Sequence, residues 1–263
     1  MSQAPLVRSY AESGVMISGG TAGVGLASAK GFAEAGVQRI CLLGRNPERG
    51  ASAVRELTEQ HPGVDARFIA TDAGDVDEVQ QAVAEAHRHL GSIDVMVSAT
   101  ASHFRPELLH NTETRDLSAI LLSLALPPML LTRTVLPIMQ EQSGGSIINI
   151  ASDAAKVPTP GESVIGAAMS GITMFSRVTA MEAKRNGVRV NCVTPSLIEG
   201  TATAQNVLSD GFSKGLFEKA SRMAHLGVAV PEDLAALVVF LGGPAAARIT
   251  GQQISVNGGI SAG

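Results

Sequence analysis

Seven short apolar runs recur along the chain, each separated from the next by a longer stretch, and this alternation constrains the fold more than any other feature. The runs are GVMIS (14–18), RICLL (39–43), ARFIA (66–70), IDVMVS (93–98), GSIINIA (145–151), RVNCV (189–193) and QQISV (252–256). Runs this apolar are strands buried on both faces, as in a parallel sheet covered by helices. Between them lie helical patterns near 23–35, 47–60, 75–90, 112–139, 163–186 and 231–241. Strands alternating with helices predict βαβ units and an α/β, doubly wound sheet of parallel strands with helices on both faces. No Pro/Ser-rich linker, low-complexity tract or repeat interrupts the pattern, so 1–263 reads as a single domain. The segment 197–228, between the sixth and seventh runs, has weak periodicity. Ligands of such sheets bind beyond the carboxyl ends of the strands, so this segment is expected to be a variable loop covering a substrate pocket.

Composition removes several function classes. A formal net charge of -4, with no basic cluster, leaves no footprint for nucleic acid. The 6 histidines are scattered without ligand spacing, and no metal is expected. No run of eighteen apolar residues occurs, so no membrane span is expected. The N-terminal MSQAPLVRSYAE lacks the basic-then-apolar pattern of a signal peptide, which points to a cytoplasmic protein. Cys41 and Cys192 each lie in an apolar run and read as small core residues rather than a disulfide or metal site.

Directly after the first run comes Ser18-Gly19-Gly20-Thr21-Ala22-Gly23-Val24-Gly25, which then opens a helical pattern. Glycines let backbone approach a pyrophosphate, and a helix N-terminus offers free N–H donors and a favourable dipole. In this Rossmann-like setting Gly19, Thr21, Gly23, Val24 and Gly25 are candidate cofactor contacts. The second run ends in Leu43-Gly44-Arg45-Asn46. A carboxylate here would hold the ribose 2′-OH of NAD, and Gly44 has none. Arg45 either faces a 2′-phosphate, which its fork of donors suits, or is simply solvated. NADP is favoured over NAD, if the site is occupied at all.

These motifs, taken together, resemble the short-chain dehydrogenase/reductase family over nearly the full length. Ser18 to Gly25 is similar to its Thr-Gly-x-x-x-Gly-x-Gly loop. Asp72, followed by Ala73, matches its adenine-contacting aspartate. Gly145 to Ile150 resembles the strand leading to its catalytic serine, and Arg189-Val190-Asn191 with Pro195 resembles its sixth strand and nicotinamide-side turn. Pro231-Glu232-Asp233, Gly251-Gln252 and Asn257-Gly258-Gly259 resemble its C-terminal signature. The resemblance implies dimers or tetramers built on the fourth and fifth helices.

The family's chemistry uses a tyrosine, a lysine four residues later, a serine, and an asparagine on the preceding long helix. A free phenol has a pKa near ~10, and a neighbouring ammonium brings it toward working pH. Ser152 matches the serine. Thirteen residues on, the tyrosine position falls on Ile165 and the lysine position on Met169; the asparagine corresponds to Leu124. Gly187, Asn191 and Pro195 keep the family's spacing downstream, which fixes the register. The chain has 1 tyrosine, Tyr10, ahead of the first strand, so no shift can bring one into the fifth helix. The Asn-Asn-Ala-Gly turn is replaced by Ser98-Ala99-Thr100-Ala101, Ser196 replaces a glycine, and the carboxamide-contacting threonine is shifted to Thr201 or lost.

Three readings follow. The first is a non-catalytic subunit assembled with an active homologue, supported by an apolar stripe of Val164, Ala168, Ile172, Phe175, Val178 and Met181 on the fifth helix. The second is an NAD(P)-dependent alcohol dehydrogenase or ketoreductase with another proton donor, drawn from Asp153, Lys156, Glu162, Ser163 or His225. The third is a dinucleotide or acyl-ligand sensor without turnover.

Overall fold

In the computed structural model, residues 6–209 and 211–262 are described. The seven expected strands are β1 (Gly14–Ser18), β2 (Arg39–Gly44), β3 (Asp65–Ala70), β4 (Val95–Ser98), β5 (Gly145–Ile150), β6 (Val188–Pro195) and β7 (Gln253–Val256). They form one sheet in the order β3-β2-β1-β4-β5-β6-β7, every pair parallel. Alternate residues of a strand enter opposite cores, as the two-residue period of a strand requires. Val15, Ile17, Val97 and Val193 join one cluster, and Met16, Met96, Ile147 and Val190 the other. Both cysteines are free and buried.

Helices α1 (Gly23–Glu34), α2 (Pro47–Gln60) and α8 (Pro231–Gly242) cover the first face. Helices α3 (Val76–Leu90), α4 (Asp116–Glu141) and α5 (Ser163–Ala183) cover the second. Local chemistry sets several boundaries. Asn46 caps α2 by accepting from Arg49 N–H, with Pro47 in the first turn. Asp75 caps α3 by accepting from Asp77 and Glu78 N–H, and Gly91, at φ 74°, ends it. Helix α4 begins four residues later than the pattern indicates and runs through Pro127, Pro128 and Pro137. By length and composition α4 and α5 could each cross a membrane; here they pack on the sheet and on each other.

One expectation is corrected. The weakly periodic segment 197–228 is not an irregular loop: it forms α6 (Ala202–Val207) and α7 (Gly211–Met223). Only Leu197, Ala204, Val207 and Ser213 are well buried among its described residues. So narrow a buried set leaves little periodic signal.

At the amino ends of the strands, residues 6–13 strap the sheet. Leu6 N–H donates to Ser143 O at 3.0 Å, and Arg8 Nε lies 2.8 Å from Asp94 Oδ1. Asp94 also accepts from Gly14 N–H and Ser92 Oγ, at 2.9 and 2.6 Å. The Tyr10 hydroxyl donates to Val239 O at 3.0 Å, and its ring lies 6.4 Å from that of Phe32.

Gly50 brings α2 down onto β3: a Cβ there would lie 2.3 Å from Phe68 Cγ. Gly50→Ala is therefore expected to destabilise the chain by about 1–3 kcal/mol, as over-packing does, with the denaturant midpoint as readout.

Candidate functional site

The carboxyl ends of the strands carry the site. After β1 the backbone turns through Gly19 at φ 75° and Gly23 at φ 50°, the left-handed region that glycine occupies without strain. Both Gly19 and Gly20 N–H donate to Leu43 O, at 3.0 and 3.2 Å, tying the loop to β2. A Cβ on Gly25 would fall 2.1 Å from Gly19 O, and one on Gly19 would fall 2.4 Å from Ala99 O. The loop can thus fold only around bare glycine. Ala22, at the N-cap of α1, gives no side-chain cap, so the first N–H groups of the helix are left for another acceptor. This cradle fits a pyrophosphate.

The remaining cofactor candidates sit around it. Val24 is buried, and the Thr21 methyl would touch a Cβ on Gly44 at 3.2 Å. Arg45 is exposed at the end of β2. Asp72 is also exposed; its carboxylate accepts from Gly74 N–H at 2.9 Å, and its own N–H donates to Glu78 at 2.7 Å. Ala73 beside it is buried. Thr201 caps α6, accepting from Ala204 N–H at 3.1 Å, and its methyl stands 3.5 Å from where Gly23 would carry a Cβ.

The reactive end is different. Ser152 stands at the end of β5, its Oγ accepting from Ala154 N–H at 3.2 Å. Leu124, Ile165 and Met169 are partly buried. Met169 packs into an apolar cluster of Ala151, Ile172 and Cys192, with Ala125 beside it. Burial there pushes the Cys192 thiol up to about 12. An ammonium at position 169 would find no charge partner in that cluster, and Met169 fills it with apolar contacts instead.

Two of the five substitute donors are already engaged elsewhere. Asp153 is buried and accepts from Ser255 Oγ at 3.2 Å, Ser261 Oγ at 2.7 Å and Asn257 Nδ2. Lys156 Nζ donates to Ser255 Oγ, which lies 3.3 Å from Thr194 Oγ1. Both side chains pin the end of β7 and the tail beyond it. Ser163 and His225 are exposed. Glu162 remains: burial foremost, and the negative charge of Asp153, push its carboxyl up to about 7 against a hydrogen bond from Thr159. It is the N-cap residue of α5, three positions before Ile165.

Helices α6 and α7 close the cleft from above. Asn206 Nδ2 donates to His103 O at 3.1 Å, and Glu107 N–H to Gly161 O at 2.9 Å. A Cβ on Gly161 would fall 2.3 Å from the Phe212 ring. None of these contacts has a sequence signal; two depend on where two short helices land, and the third joins the segments that follow β4 and β5.

The predicted apolar stripe of α5 splits between two faces. Ala168 and Ile172 are buried in the domain, whereas Val178 and Met181 are 48% and 60% exposed. The outward stripe is Met174, Val178 and Met181, with Leu121 and Leu122 exposed on neighbouring α4.

Comparison with known proteins agrees with this geometry. A family model described as enoyl-(acyl carrier protein) reductase matches residues 19–261. The 3-oxoacyl-[acyl-carrier-protein] reductase of Chlamydia muridarum is 31% identical, over 94% of this chain and 96% of the relative. Among solved structures, L-sorbose reductase from Gluconobacter frateurii, complexed with NADPH and L-sorbose, has a TM-score of 0.83 at 30% identity, covering 96% of this chain and 98% of that one. An NADPH-bound short-chain oxidoreductase from Pseudomonas aeruginosa PAO1, described as containing an atypical catalytic center, has a TM-score of 0.87 at 25% identity over the same shares.

The glycine cradle yields the first test of the site. Gly25→Ala places a methyl against Gly19 O, so dinucleotide affinity should fall at least about tenfold in calorimetric titration while the circular dichroism spectrum is retained.

Proposed function

This chain belongs to the short-chain dehydrogenase/reductase family, and on that premise we propose that it binds NADP(H) but leaves carbonyl reduction to an active homologue, with which it assembles as a non-catalytic subunit. The observation that carries this reading is the packing of Met169 against Ala151, Ile172 and Cys192 where the family's lysine would stand. A nicotinamide cofactor, when bound, supplies the hydride of the family's reaction. The residues of this chain would hold its phosphates on the loop from Gly19 to Gly25, with Arg45 toward a 2′-phosphate and Thr201 over the loop. Nothing at Ile165 can donate a proton, and a hydride acceptor left without one gains little. A cofactor preference for NADP rests on the bare Gly44 and the free fork of Arg45.

The assembly reading draws on the outward stripe of Met174, Val178 and Met181 beside Leu121 and Leu122. Five large apolar side chains on adjoining helices form a patch of the kind that subunit contacts cover. A homologue with a matching helix pair would satisfy it in a dimer or tetramer.

A second reading, an oxidoreductase with its own proton donor, is favoured by Glu162. A carboxyl held near 7 is half-protonated at neutral pH, and it lies one turn from Ile165. The Pseudomonas aeruginosa neighbour with an atypical catalytic center supports the same direction.

Two experiments separate them. NADPH should bind more tightly than NADH in calorimetric titration, and Arg45→Ala should erase that difference; equal binding of both by the unaltered chain would remove the NADP preference. Co-expression with an intact family homologue should give a mixed complex by intact mass, while the chain alone stays silent toward carbonyl substrates. Should the isolated chain instead reduce them, Glu162→Gln is expected to cut kcat by about 10²–10⁴-fold and remove a rate limb near pH 7, which sustains the second reading. The stability effect has a definite sign. Because the folded pKa of Glu162 lies above its unfolded value, its cost to the native state is absent below about pH 4.5, accumulates between that and about pH 7, and is constant above. Glu162→Gln should therefore flatten the loss of thermal stability between about pH 4.5 and pH 7.

A further inference from the structure

A second concavity lies at the opposite end of the strands from the cofactor cradle. It encloses about 150 Å³ between the strap of residues 6–8, the first residues of β5 and β6, and the chain leaving α8. Its lining holds four cationic side chains, Arg8, Lys184, Arg189 and Arg248, against the carboxylate of Asp94. Asp94 is already committed: it faces Arg8 at 2.8 Å and accepts from Gly14 N–H and Ser92 Oγ. Among the described residues, Lys184, Arg189 and Arg248 make no ion pair.

Arg189 is the most enclosed of these. Its guanidinium donates to Leu241 O at 2.7 Å and Ile249 O at 3.3 Å, so carbonyl groups alone hold it. Burial lowers its pKa to about 10, a sign that the positive charge is short of compensation. Leu241 O belongs to the last turn of α8, whose dipole favours a cation, and this explains the anchoring of the fork. It does not neutralise the charge. Lys184 and Arg248 are exposed at the mouth: Lys184 Nζ reaches only Met181 Sδ at 3.7 Å, and Arg248 donates to Ala247 O at 3.4 Å. Three cations around a cavity of this size, one of them desolvated, match a compact anion with several acceptor oxygens.

We propose that this pocket binds a small phosphate-type oxyanion, held by Arg189 from within and by Lys184 and Arg248 at the mouth. Occupancy would tie the N-terminal strap, β6 and the end of α8 to one ligand. The site is separate from the cofactor's phosphates and does not depend on the functional reading above.

The probe is inorganic phosphate, titrated against potassium chloride at matched ionic strength, with melting followed by circular dichroism and binding by ³¹P line width. At a concentration tenfold above its dissociation constant, phosphate should raise the melting temperature by roughly 3 °C. The rise should persist in Gly25→Ala and under saturating NADPH, because the cofactor end is not involved. The double variant Lys184→Gln with Arg248→Gln should bind phosphate at least about tenfold more weakly. Arg189→Gln should bind weakest, but it also removes the bond to Leu241 O, so the exposed pair is the decisive variant. A shift no larger than that of chloride overturns the proposal. So does a shift undiminished in the double variant, or one abolished by Gly25→Ala or NADPH, which would place the phosphate in the cofactor cradle.

Discussion

The reversal of winding at β1 is the constraint on which the site depends. From β1 the chain builds outward through β2 and β3, then returns to place β4 against the other side of β1. Right-handed crossovers put α1 and α2 on one face and α4 and α5 on the other, so the loops after β1 and β4 part from each other. The loop from Gly19 to Gly25 borders the crevice left between them. That Gly19 lies against Ala99, beyond β4, is the direct mark of two oppositely wound halves meeting. A side chain at Gly19 would force them apart.

The polar residues beyond β5 show how easily proximity in sequence misleads. Asp153 follows Ser152, and Lys156 lies one turn further, which makes both attractive as substitute acids. In the fold their charges turn toward the sheet edge and fasten residues 255–261 through Ser255, Asn257 and Ser261. The buried carboxylate of Asp153 accepts from three donors and is committed to holding the end of the chain. Asp153 and Lys156 thus do not form a free acid–base pair beyond β5. One carboxyl, Glu162, keeps an unsettled protonation state at the cleft.

The strands and the glycine turn after β1 were legible because each depends on local rules. Apolar runs of five to seven residues set the strands, and glycine at 19, 23 and 25 sets the turn. The absence of a tyrosine beyond residue 10 was equally plain. What the sequence hid were features decided by tertiary placement. Helices α6 and α7 bury too few side chains to leave a period, so 197–228 looked irregular. The apolar residues of α5 looked like one stripe because Val164 through Met181 recur every three or four positions. A helix wedged between a sheet and α4 buries two flanks and exposes a third, and the pattern alone does not say which residue goes where. Nor could the pattern show that Arg189, inside an apolar strand, turns its guanidinium to the end of α8.

The lone tyrosine has a practical consequence. The chain contains no tryptophan, so its tyrosine emission comes unmasked from a single ring, fixed between Phe32 and the last turn of α8. That emission is a natural beacon for the N-terminal strap, blind to the cleft at the far end of the strands. Unfolding followed by tyrosine fluorescence will report when the strap detaches, whereas far-ultraviolet dichroism will report when the helices melt. Divergence of the two signals would mean that the foot of the sheet opens before the rest of the molecule.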